Sequence, residues 1–288
     1  MSRRTAAPRG GFTLLELLVV IAIIATLVAL LLPAINGVKQ RANSAAERQT
    51  IAQIATGIGA FKAKMGVGFI PAGFTVYDDY TSAAALKDTN GQASRAYLRQ
   101  VFPQIDDTNT GLGTKYGGDG TSLDGNQTLL LFLTGGPLPS NPQNAFQGFS
   151  TNRRDPFNVA GVVTKGEQRL GPFYEVTGKT VNASYQLVDR WGTPYAYFAY
   201  ANKGVGTYSG ATFTVTTDAG KSSVSAFTVP SSSPTKYLEP QGFQIVSAGP
   251  DMLFGPGGAW TPRTGVYIEE QQGADDLANF ATGPLVSN

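Results

Sequence analysis

The side chains able to do chemistry in this chain are carboxylates, hydroxyls and amines, because its 288 residues include no histidine and no cysteine. That excludes a Ser-His-Asp or Cys-His centre, imidazole and thiolate metal sites, and disulfides. Carboxylates remain, as acid–base pairs or as hard oxygen donors for a cation. Asp106-Asp107-Thr108-Asn109 opens like an EF-hand loop, but the glycine falls at the wrong offset and no Glu closes it, so a solvated loop is expected. The runs Gly111–Gly117 and Gly204–Gly210 look superficially like phosphate loops. Both have the wrong spacing and lack a strand-turn-helix context, so they read as glycine turns. Asn126-Gln-Thr128 and Asn182-Ala-Ser184 are glycosylation sequons by pattern only. One acid is oddly placed: Glu16 lies inside an apolar run.

The element that positions Glu16 is the N-terminal segment. Residues 1–11 form a short basic leader with Arg3, Arg4 and Arg9 and no acid. Leu17 to Leu32 are all apolar except Thr26. From Phe12 the stretch is long enough, at about 31 Å as a helix, to match a bilayer core of roughly 30 Å. A secretory signal peptide fits poorly, since its apolar core is about 7–15 residues and an A-x-A-like cleavage site should follow. A plain membrane anchor leaves Glu16 unexplained, because a carboxylate near the middle of a spanning helix costs about 2.5–3.5 kcal/mol.

The order Gly11, Phe12-Thr13-Leu14-Leu15-Glu16, then an apolar helix, closely resembles the type IV pilin and type II secretion pseudopilin family. The resemblance implies cleavage between Gly11 and Phe12 by a prepilin peptidase on the cytoplasmic face, then N-methylation of Phe12. It further implies that Glu16 pairs with the new N-terminal amine of a neighbouring subunit, which sets the axial register of a filament.

Composition agrees with a non-enzymatic surface. The formal charge is +2, from 22 basic and 20 acidic residues. Losing the three leader arginines leaves 19 basic residues against 20 acidic, a net of −1, so no nucleic-acid partner is expected. Glycine stands at 35 of 288, about 12% against a usual ~7%, as expected of a loop-rich, β-containing domain.

Beyond Pro33, which should kink or loosen the helix, apolar residues recur at three- and four-residue steps from Ile35 to Met65. Lys39, Arg41, Glu47, Arg48, Lys62 and Lys64 are expected mostly on the opposite side. Gly57 and Gly59 should weaken the last turns, and Gly66-Val67-Gly68 should end them. Short helices are predicted over Ala93–Val101 and Asn126–Thr134. Strands are predicted over 173–176, 184–189, 195–200 and 243–247, with a hairpin of 213–217 and 224–229 that reads as an insertion.

A second resemblance lies in this half. Asp189-Arg-Trp-Gly-Thr-Pro-Tyr-Ala-Tyr197, Phe243 to Asp251, Gly255-x-Gly-Gly258 and Ala274 to Phe280 look like segments of the major pseudopilin of type II secretion. Trp191, Tyr195 and Tyr197 are expected core aromatics. That pseudopilin's C-terminal loop binds calcium. Carried over residue by residue, the ligands implied are Asp251, Asp275, Asp276, Ser247 and the carbonyl of Ala248. Calcium takes six to eight such oxygens at about 2.3–2.6 Å. An inserted stretch, Ala259 to Gly273, adds Glu269 and Glu270 as substitute ligands or solvated acids.

The resulting expectation is an α+β, type IV pilin-like fold: a long N-terminal helix packed on a small antiparallel β-sheet. Its parts are a cleaved leader (1–11), a transmembrane and polymerisation helix (12–33), an amphipathic helix (34–66), a variable helix-loop insertion (67–170) and the sheet with its acidic loop (171–288). The chain would sit in the bacterial inner membrane as a single-pass protein with a periplasmic domain. It would then join a pseudopilus with copies of itself and other pseudopilins, through an inner-membrane assembly platform. A type IV or competence-type pilin for adhesion, motility or DNA uptake is the nearer alternative. A membrane-tethered binding module or enzyme is the more distant one.

Overall fold

The computed structural model describes residues 14–136, 146–158, 168–177, 179–199, 212–233, 235–239, 242–261 and 272–285, without the side chains of residues 30–34 and 36. The chain divides into two units, Met1–Ala45 and Ala46–Asn288.

The first element is α1, Leu14–Met65, whose helical span includes Pro33. Gly66, with φ 68°, ends it in the left-handed conformation that glycine adopts without strain. In the first unit every described side chain from Leu14 to Ala29 is exposed. Among the described residues no helix is long and apolar enough to cross a membrane.

In the second unit the periodicity of α1 becomes a buried stripe, with Ile51, Ile54, Ile58 and Phe61 at the centre of the main core. Gly57 lies on that stripe, and a Cβ there would meet the Phe173 carbonyl oxygen at 2.7 Å. Its smallness lets the chain after α5 pass close to the helix.

Short elements then pack on the same core: β1 (Phe74–Val76), α2 (Ala83–Lys87), α3 (Thr89–Val101), α4 (Leu112–Lys115), β2 (Thr121–Leu123) and α5 (Gly125–Thr134). The helix α5 has a full set of stop signals. Asp124 and Gln127 form a reciprocal capping box, and Gly135 at φ 82° closes the C-terminus. Its five residues Leu129 to Leu133 are all buried. The region expected as a helix-loop insertion thus contributes helices to the core. Asn126 of the first sequon is buried, its side chain bonded to Leu187 and to the Tyr195 carbonyl, so it is no surface acceptor.

The remaining strands are β3 (Phe149–Ser150), β4 (Arg169–Leu170), β5 (Ala196–Ala199), β6 (Thr212–Thr217), β7 (Gly220–Thr228), β8 (Phe243–Ser247), β9 (Gly257–Ala259) and β10 (Leu277–Ala278). Among the described residues there are, instead of one antiparallel sheet, four small ones: β1-β2, β3-β4, β10-β8-β5 and β6-β7-β9. All pairs are antiparallel except β7-β9, which is parallel. Residues 173–176, predicted as a strand, are irregular, and 187–188 form only isolated bridges.

The sheet β10-β8-β5 is buried on both faces, and strand alternation assigns each face its own core. Tyr195, Tyr197, Ala199, Ile245 and Leu277 face the core containing α1. Ala196, Phe198, Val246 and Ala278 face a second core, closed by Val224, Phe227, Phe254 and Trp260. The hairpin β6-β7 carries Val224 and Phe227 into that second core.

Candidate functional site

At the N-terminus, Gly11 and Phe12 lie outside the described residues. Glu16 sits in the first turn of α1, where the unsatisfied amides of a helix start favour an anionic side chain. Around it, the large apolar side chains from Leu14 to Val28 have exposures of 45–81%. The hydroxyl of Thr26 donates to the Ile23 carbonyl at 2.8 Å, so this one polar interruption is satisfied within the helix.

In the second unit a buried polar network joins α1 to the turn before β5. Glu47, expected on the solvent side of the helix, is only 1% exposed. It accepts from the Tyr195 phenol on Oε1, and from the Arg190 backbone N–H on Oε2 at 3.0 Å. Burial raises its carboxyl above the ordinary 4.5, and the bonds from Tyr195 and Arg190 only partly offset this. Burial, with the Glu47 charge alongside, likewise pushes the Tyr195 phenol up. Sequence spacing could have located Glu47: it stands four residues before Ile51, on the buried stripe.

Asp189 continues this network. Its Oδ1 accepts from the backbone N–H groups of Trp191 (3.0 Å) and Thr193 (2.9 Å), and its Oδ2 from the Ser247 hydroxyl at 2.7 Å. Burial raises its pKa to about 7 against these bonds. The Asp-x-Trp-Gly-Thr turn is thus built by its own first residue, an Asx-type turn with Gly192 at φ 92°. Tyr195 and Tyr197 are core residues as expected, while Trp191 is half-buried at the edge of that core.

The residues proposed from sequence as cation ligands gather around the segment after β8. Ser247 is buried, and its hydroxyl, besides donating to Asp189, accepts from the Gly249 N–H at 3.2 Å. Ala248 is buried beside it. Asp251 is exposed and accepts from the Leu253 N–H at 2.8 Å. Asp275 Oδ2 accepts from the Asp251 N–H at 3.0 Å, which fastens the two loops together. Asp276 is fully buried: Oδ2 accepts from the Gly255 N–H at 3.0 Å, and Oδ1 has no hydrogen-bond partner.

Burial raises all three carboxyls, Asp276 furthest, and the charges of Asp275, Asp251 and Asp189 push Asp276 up further. Carboxylate oxygens are the donor type that a hard divalent cation takes. Among the described residues, however, no group of three or more acidic side chains is placed as a formed metal site. Glu269 and Glu270 lie outside the described residues.

Elsewhere the structure corrects one acid. Asp107, expected in a solvated loop, is buried and receives Arg95 Nε at 2.6 Å and Arg99 Nε at 2.8 Å. Gly111 and Gly117 are turn residues with positive φ, as read from the sequence, although a single helical turn, α4, lies between them.

Comparison with known proteins adds one match. The prokaryotic N-terminal methylation motif matches residues 7–32. No curated protein and no solved structure matches the chain. The matched segment spans the end of the basic leader and the exposed apolar start of α1, so the chain carries a prokaryotic N-terminal methylation motif at that end.

Proposed function

We propose that this chain is a structural, non-enzymatic subunit of a type II secretion pseudopilus. It would be cleaved between Gly11 and Phe12, methylated on Phe12, held in the inner membrane with its second unit in the periplasm, and then polymerised to drive protein export. The observation that carries the reading is the start of α1, whose large side chains from Leu14 to Val28 lie exposed directly behind the methylation motif. A helix apolar all round is stable only when surrounded by lipid or by other helices. Burying a Leu, Ile or Val side chain contributes about 1.5–3 kcal/mol, so packing against neighbouring copies supplies a large driving force. In the filament Glu16 would pair with the methylated amine of a neighbour and align the copies.

The choice of secretion pseudopilus over adhesive pilus is supported by the Asp189–Tyr197 and Ser247–Asp251 sequences and by the near-neutral charge. Calcium belongs to the same proposal, held by the carboxylates of Asp251, Asp275 and Asp276 with oxygen donors from Ser247 and Ala248. It is supported by the orphaned, buried oxygen of Asp276. N-terminal sequencing of protein from its host tests the processing step. N-methylphenylalanine at position 12 is expected, and an intact Met1 or cleavage near Ala34 would overturn it. Loss of protein export on gene deletion, with surface pili retained, separates pseudopilus from pilus.

A further inference from the structure

The hairpin β6-β7, read from the sequence as an insertion, has no part in the proposed assembly, and among the described residues no strand covers its outer edge. β6 (TFTVTT) pairs with β7 along its whole length in unbroken register, from Thr212↔Ser225 to Thr217↔Gly220. Phe213 and Val215 pack toward the second core, while Thr212, Thr214 and Thr216 are exposed. In an antiparallel pair, alternate residues direct their N–H and C=O groups away from the partner strand. Among the described residues no backbone group pairs with β6 on that side. Exposed edges are usually guarded by charge, proline, a bulge or brevity. β6 has six residues and none of the other guards.

That edge forms one wall of a cleft of about 580 Å³, within the roughly 300–1,000 Å³ usual for ligand sites. Thr214 to Thr217 line it consecutively, so the cleft follows the strand's edge rather than one face. The opposite wall is Trp191, Gly192 and Thr193. Two features of that wall are unspent. The Thr193 hydroxyl is buried without a hydrogen-bond partner, and the half-buried indole of Trp191 leaves part of its surface to the cleft. Asp218, at the hairpin turn, is the one charged side chain on the lining among the described residues.

We infer that this cleft takes an extended peptide by strand addition to β6, with a basic side chain of the peptide set between Trp191 and Asp218. Main-chain bonds to the edge supply the affinity. The indole face and the carboxylate together select a cation over an anion. The site is independent of the N-terminal motif, so it stands whether or not the filament proposal does.

The probe is acetyl-Thr-Val-Lys-Val-Thr-amide, titrated into the full chain in detergent. Tryptophan emission is one readout, since the chain has two tryptophans and Trp260 is buried. Amide hydrogen exchange along β6 is the other. Binding should change the emission and slow exchange in β6. A peptide with glutamate for lysine should bind about tenfold more weakly. The exposed variant Asp218→Asn should narrow that preference, and a peptide with every backbone nitrogen methylated should not bind. Equal binding of the methylated peptide, or unchanged exchange in β6, would overturn strand addition. Slowing of β6 exchange with protein concentration alone would overturn the peptide as occupant in favour of a second copy of the chain.

Discussion

The Tyr195 phenol donates to Glu47 Oε1, and the Arg190 backbone N–H donates to Oε2 of the same carboxylate, so one buried acid on α1 holds both ends of the turn that leads into β5. That turn delivers β5 to the edge of the sheet β10-β8-β5, where it pairs with β8. Removing the carboxylate strands two donors, one of them a buried phenol. Glu47→Ala should therefore cost about 3 kcal/mol, read as a fall in melting temperature of roughly 5–10 °C.

The same carboxyl sets a pH dependence. Its folded-state pKa lies above the ordinary 4.5, so the folded chain holds the proton more tightly than the unfolded chain. That contribution is complete below pH 4.5 and is lost as pH rises through the folded value. Asp189, raised from 3.8 to about 7, acts in the same direction between those values. Thermal melts from pH 4.5 to 8 should show stability declining with pH through these two groups, and Glu47→Gln should flatten part of the slope. An unchanged slope in that variant would refute the assignment.

Asp107 acts in the opposite sense. Burial raises its carboxyl, but the bonds from Arg99 and Arg95 outweigh this and hold the pKa below 3.8. Its contribution is present above 3.8 and is lost as pH falls through the folded value. Asp107→Asn should cost about 1–3 kcal/mol at neutral pH, with the deficit shrinking in acid. Chemical denaturation at the two pH values measures it.

Two glycines of α1 should respond with opposite signs. Alanine is favoured over glycine in a helix by about 1 kcal/mol. Gly59 is exposed, and a Cβ added there would have no neighbour within 4 Å. Gly59→Ala should therefore raise stability by up to that amount. At Gly57 the new methyl meets the Phe173 carbonyl oxygen at 2.7 Å and Tyr174 Cβ at 3.3 Å. There the overlap should outweigh the propensity, with a net loss of about 1–3 kcal/mol. Equal shifts in the two variants would mean that the chain at 173–174 yields.

Added calcium should raise the melting temperature, since a cation bound only by the folded state stabilises it by mass action. Asp251→Ala should respond less or not at all. A full response in that variant would remove Asp251 from the ligand set, and no response in the parent would remove the cation.

The long helix was legible because its signals are local: an apolar run, a 3.6-residue stripe and a glycine stop. The helices α3 and α5 were legible for the same reason, ending at Pro103 and Gly135. The hairpin β6-β7 was found from two strand-like segments joined through the Asp218–Lys221 turn, and the strand β8 from its aromatic and β-branched residues. Residues 173–176 misled because Phe173, Tyr174 and Val176 have strand composition, yet among the described residues the segment is held by one backbone bond, from Phe173 to Leu133, by the hollow at Gly57 and by packing on the main core. Glu47 and Asp107 misled because a charge was taken to mark solvent. Their partners, Tyr195 and the pair Arg95 and Arg99, lie 148 and 12 or 8 residues away, and only the fold brings them together. At the acidic loop the sequence named the acids, but the orphaned oxygen of Asp276 is visible only in three dimensions.

The exposed start of α1 has one more consequence. Because large apolar side chains from Leu14 to Val28 occupy every direction around the axis, the segment has no preferred side. Rotating it among neighbours would leave its apolar contact nearly unchanged, so hydrophobic burial can hold it but cannot choose its azimuth. Thr26 has already turned its hydroxyl inward to Ile23. In the proposed filament Glu16 would be the mark that distinguishes one rotation from another, in the way a single key fixes an otherwise round shaft.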